Sequence, residues 1–105
     1  MTNKKYIIQY LPTFINHFEE ILSYIKNILK NEMAANNLYN EVVNSIEKRS
    51  YAPESFEVYK VYSKNKIINY YKLFVKHYII FYVVMGNIME VRRIYYKGRD
   101  IDNIL

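Results

Sequence analysis

Lys72, Lys76, His77, Arg92, Arg93, Tyr95, Tyr96, Lys97 and Arg99 crowd cations, phenols and an imidazole into the last third of the chain. These residue types suit a polyanion, because Lys and Arg displace the counterions condensed on phosphates and aromatic rings stack on bases. The charge is unevenly spread. Residues 1–50 hold six basic and five acidic side chains, whereas residues 51–105 hold nine and five, together with nine of the thirteen tyrosines. Most of the net charge of +5 therefore belongs to the second half. Duller explanations compete. Ile, Lys, Asn and Tyr share A/T-rich codons, lysines at 72 and 76 are ordinary on a solvated sheet face, and His77 suits an exposed turn.

Other chemistries are excluded by what is missing. The chain has no cysteine, hence no disulfide framework, thiol nucleophile or Cys-ligated metal. Its two histidines, His17 and His77, match no metal-ligand spacing, so neither a metal nor a cofactor is expected. The longest apolar run, Tyr78–Met85, has eight residues against the roughly 20 that a bilayer requires. The amino terminus begins with positive charge but has no long apolar stretch and no small-residue cleavage site. These features predict a soluble, cytoplasmic protein without membrane contact, with residues 1–105 forming one domain.

The elements that must hold the polar residues follow from the hydrophobic period. Residues 4–11 read as a short strand ending at Pro12. With Thr13 as N-cap, Phe14, Phe18, Ile21, Leu22, Ile25, Ile28 and Leu29 recur at helical spacing. Asn31-Glu32 interrupts that helix, and Ala34, Ala35, Leu38, Tyr39, Val42 and Ile46 mark a second over 33–49, giving an antiparallel helical hairpin. A loop around Pro53 follows, and from Val58 the period becomes two, with strands at 58–62, 67–75, 78–85 and 88–96. The third of these is apolar throughout, as a central strand covered on both faces should be, and Gly86-Asn87 supplies a tight turn into the last. The order predicts an α+β fold: an N-terminal strand, then an antiparallel helical hairpin packed on one face of a mainly antiparallel sheet of four or five strands. Strand alternation places Tyr95 and Tyr96 on opposite faces, and likewise Arg92 and Arg93.

Read as one string, Tyr70 to Ile101 is YYKLFVKHYIIFYVVMGNIMEVRRIYYKGRDI. A basic strand, an aromatic-aliphatic central strand, a tight turn, a strand containing Arg-Ile and a loop closing on Arg-Asp resemble the RelE/ParE superfamily of bacterial type II toxin–antitoxin toxins. The resemblance implies a small basic toxin associated with growth arrest and plasmid stabilisation, silenced by a cognate antitoxin that is small and acidic. In the RelE-like branch the target is messenger RNA on the ribosome, cut through a ribose 2′-hydroxyl. The ParE-like branch inhibits DNA gyrase and does not cut RNA.

By the same resemblance, Lys72 falls on a basic strand position used by the ribonucleases, and Arg99 on a loop position associated with phosphate contact. Ile79 stands where ribonuclease members carry arginine, and the sequence stops at Leu105, about where they place a catalytic tyrosine. Tyr96, or Tyr95, is then expected to stand in for that tyrosine, with His77 as a candidate base. Lys76, Arg92, Arg93 and Lys97 are expected to bind nucleic acid, with one of the two arginines facing the groove. A ribosome-dependent endoribonuclease is the leading expectation, with a gyrase inhibitor and a non-catalytic binding module as alternatives.

Overall fold

The computed structural model describes residues 4–99 and 105. The chain runs β1 (Ile7–Tyr10), α1 (Pro12–Ser23), a wide π-type turn (Tyr24–Ile28), α2 (Glu32–Arg49), β2 (Val58–Ser63), β3 (Lys66–Val75), β4 (Tyr78–Met85) and β5 (Ile88–Tyr96). The five strands form one sheet in the order β1-β5-β4-β3-β2. β1 lies parallel to β5, and every other neighbouring pair is antiparallel. The α+β reading and the helical pair on one sheet face both hold.

Pro12 opens α1, where a missing N–H costs nothing, so the N-cap is Leu11 and not Thr13. Thr13 has different work, because its hydroxyl accepts a 2.6 Å hydrogen bond from Arg93. Phe14 and Phe18 are buried as the helical stripe requires, but Ile28 and Leu29 stay exposed. The π-type turn is the reason: its extra residue per turn throws the 3.6-residue stripe out of phase before the last two apolar side chains. Asn31 then caps α2, its Oδ1 accepting from the Ala34 amide at 3.0 Å. Ala35, Leu38, Val42 and Ile46 turn inward, whereas Tyr39 stays half-exposed and stacks on Phe18.

Three two-residue turns join β2 to β5. Lys64 and Asn65 both take left-handed φ, the requirement of the turn whose twist matches its flanking strands. Lys76-His77 links β3 to β4 with Lys76 left-handed, and in the Gly86-Asn87 turn only Gly86 has positive φ.

β4 is central, and its alternate side chains feed two cores. Ile80 and Tyr82 pack with Leu73, Val91, Ile94 and the helices. Ile79, Phe81 and Val83 face away from the helices and are buried by Tyr59, Tyr70, Tyr95 and Leu105. The expected cover on both faces is therefore unequal. Helices cover one side, and among the described residues only rings and aliphatic side chains cover the other.

Candidate nucleic-acid interface

The sheet face that carries no helix among the described residues, the helix-free face below, is built row by row from strand register. Phe74 pairs with Ile79 and Ile79 with Tyr95, while Lys72 pairs with Phe81 and Phe81 with Arg93. Side chains of paired residues share a face, so this surface carries an aromatic floor with cations upon it. Lys72 Nζ stands 4.1 Å from the centre of the Tyr59 ring, and Lys97 Nζ stands 5.6 Å from that of Phe74. The guanidinium carbons of Arg92 and Arg99 lie 5.8 and 5.4 Å from the ring centres of Tyr70 and Tyr95. Such pairs stabilise a cation by about 0.5–1 kcal/mol at exposed sites while leaving its outer N–H groups available to another ligand.

Arg92 and Arg93 depart from simple alternation. The register slips between Phe81 and Tyr82, leaving Arg92 as the extra residue of a β-bulge, and both arginines emerge on the helix-free side. The expectation that only one faces this surface is corrected. Their charges are nevertheless held differently. Arg92 Nε donates to Glu90 at 2.8 Å, whereas Arg93 leans to the sheet margin and donates to Thr13. Burial works against the Arg92 charge, but Tyr70 and Glu90 more than offset it and hold its pKa above the usual arginine value.

Tyr96 and His77 lie elsewhere. Tyr96 pairs with Tyr78, which belongs to the helix-side core, and meets that ring edge-on at 5.6 Å. The His77 ring is 6.3 Å from Tyr96, and its carbonyl accepts the Lys97 amide. The sheet thus separates Tyr96 and His77 from Lys72 and Arg99, and brings Tyr95 to Arg99 instead. Lys76 sits exposed in the β3–β4 turn. Asp100, expected to pair or cap near the end of the chain, lies outside the described residues.

Two further residues stand at the margins of this surface without any sequence cue. His17, on α1, meets Tyr95 edge-on at 5.7 Å, because β1 is short and α1 runs beside the later part of β5. Arg49, at the end of α2, donates to the Lys72 carbonyl at 3.1 Å and to the Tyr82 hydroxyl at 2.9 Å. Neither proximity has a signal in spacing, since both depend on where the helices dock. Among the described residues no group of three His, Cys, Asp or Glu could hold a metal, and no helix is long and apolar enough to cross a membrane.

This architecture is similar to that of a solved structure. A chain of the archaeal RelE–RelB complex from Pyrococcus horikoshii OT3 superposes with a TM-score of 0.60, over 91% of this chain and 99% of that one. The fold is RelE-like. Sequence identity across the match is 14%, so the likeness lies in architecture and not in residues. No protein-family profile matches this sequence, and no curated protein matches it. On the RelE-like frame, Lys72, Arg92, Lys97 and Arg99 all project from the sheet face that carries no helix among the described residues.

Proposed function

We propose that this chain, one domain working in the cytoplasm, is the toxin of a toxin–antitoxin pair. Its helix-free sheet face binds messenger RNA on the ribosome and cuts it. The observation that carries the reading is the row of cation–ring pairs on that face, set in a fold shared with a chain of a RelE–RelB complex. Cleavage through a 2′-hydroxyl needs cations for the charge that grows on phosphorus, a group to take the hydroxyl proton and a donor to the leaving oxygen. Arg99 and Lys72 are assigned the charge, and Lys97 and Arg92 the flanking phosphates. Tyr95, which shares the face and touches Arg99, takes the proton-handling place in preference to Tyr96 or His77.

The partner in this reading is a small acidic antitoxin that lays carboxylates over the same cations and so competes with RNA. Induction of the chain alone should arrest growth, and co-expression of the product of the adjacent open reading frame should restore it. Growth unaffected by induction would remove the toxin reading.

One observation favours a second target. Ile79, where the resemblance calls for arginine, is buried among Phe81, Tyr95 and Leu105, so the floor lacks one cation of the ribonuclease pattern. Gyrase inhibition is the reading that accommodates that loss, and plasmid supercoiling in the presence of gyrase and the purified chain tests it.

A further inference from the structure

β2 stops pairing at Val58 with Tyr71, so among the described residues no strand lies beside the β3 margin from Lys72 onward. The loop after α2 fills that notch only partly and leaves a half-enclosed cleft of about 320 Å³, lined by Arg49, Phe56, Glu57, Tyr59, Lys72 and Phe74. We infer that this cleft is a nucleotide subsite, which takes one base of a single strand against its rings and the attached phosphate on Lys72.

Volume, chemistry and rigidity support the assignment. The volume lies at the small end of ligand pockets. Three of the six named lining residues are aromatic and two are cationic, the combination that stacks a base and neutralises its phosphate without reading sequence. Phe74 also carries Lys97 at 5.6 Å, so the cleft opens onto the cationic face and a strand lying there can drop a base into it. The walls are already fixed. The Arg49 guanidinium stacks 3.4 Å above the Phe56 ring and donates to the Lys72 carbonyl and the Tyr82 hydroxyl, while Tyr82 donates to the Pro53 carbonyl at 2.7 Å. Helix end, loop and strand are thereby locked together, which reduces the ordering cost of binding.

Glu57 decides between a base and a bare anion. A carboxylate in the lining repels inorganic phosphate, but it accepts hydrogen bonds from the N–H groups that a nucleobase carries. Arg49 and Lys72 balance the phosphate charge of either ligand, so the base contacts to the rings and to Glu57 are what favour a nucleotide over free phosphate.

The subsite deepens the RNA-binding reading and rests on it, yet its test is separate. The full chain, labelled with nitrogen-15, is titrated with adenosine and uridine monophosphates and, in parallel, with inorganic phosphate. Saturable amide shifts are expected at Phe56, Glu57, Tyr59 and Lys72 with both nucleotides, and at least several-fold weaker ones with phosphate. Tyr59→Leu should weaken nucleotide binding about tenfold, the usual loss for one stacking ring. Because the wild-type shifts locate the ligand themselves, a poorly folded variant does not remove the test. Equal shifts with phosphate, or none in the cleft at millimolar nucleotide, overturn the subsite. Growth arrest without cleft binding would sink the subsite alone. Cleft binding by a harmless chain supports it and removes only the toxin reading.

Discussion

The Arg99 guanidinium carbon lies 5.4 Å from the centre of the Tyr95 ring, on the sheet face that carries no described helix. The neighbouring Tyr96 points through to the other side, against Tyr78. Of two adjacent tyrosines, only the first can reach a phosphate held by Arg99. Tyr95→Phe is therefore expected to reduce transcript cleavage by about 10²-fold or more, the scale of a lost proton-transfer group. Tyr96→Phe should leave cleavage within about twofold. Cleavage rates of the two variants, measured side by side, check the assignment, and the reverse ranking contradicts it.

Glu90 holds Arg92 through a 2.8 Å contact and withholds part of its charge from an incoming strand. Glu90→Gln is expected to tighten RNA binding. It should also steepen the dependence of log affinity on log salt, by up to about 0.7, the increment for one full phosphate contact on a single strand, because Arg92 no longer shares its charge with Glu90. Fluorescence anisotropy over a salt series reads both effects, and an unchanged slope would show that Arg92 does not reach the backbone.

Tyr82 is fully buried and bonded to both Pro53 and Arg49. Burial pushes its phenol pKa up, and Arg49 only partly opposes that shift. A raised folded-state pKa means stability that is complete below the unfolded value near 10 and lost as pH climbs through the folded one. Tyr82→Phe should cost about 1–2 kcal/mol at neutral pH, because it leaves polar partners unsatisfied. The gap between wild type and variant should narrow above pH ~10, since only the wild type loses this contribution there. Denaturant midpoints at neutral and alkaline pH test the sign, and a widening gap contradicts it.

Asn31 closes the first turn of α2 with one side-chain hydrogen bond. Asn31→Ala is expected to destabilise the fold by about 1 kcal/mol, whereas Ile28→Ala, at an exposed position on the π-type turn, should change stability by less than about 0.5 kcal/mol. Thermal unfolding of the two variants separates a cap from a surface residue.

Much of the frame is legible in the sequence because burial leaves a period. Phe14 and Phe18, then Leu38, Val42 and Ile46, spell two helices, and the apolar β4 announces its central place. Alternation also separates Tyr95 from Tyr96, although it does not say which of them faces the helices. What escaped is what depends on partners. The bulge at Arg92 arises from the register against Phe81 and Tyr82, and the π-type turn that exposes Ile28 leaves no mark in composition. Arg49 and His17 reach the surface only through helix docking, and Thr13 was diverted from capping because Pro12 already opens the helix.

In the proposed reaction the cationic face cuts messenger RNA, with Arg99 holding the phosphate under attack. Primer extension on cellular transcripts after induction, for wild type and Arg99→Ala together, tests it most directly. Losing a preorganised charge donor typically costs about 10²–10³ in rate, and exposed Arg99 contributes little to packing. New cleavage sites are expected in the wild type and none of them in Arg99→Ala, in a variant that still folds and still binds its antitoxin. Arrested growth with intact transcripts, or cuts that persist unchanged in Arg99→Ala, would contradict it.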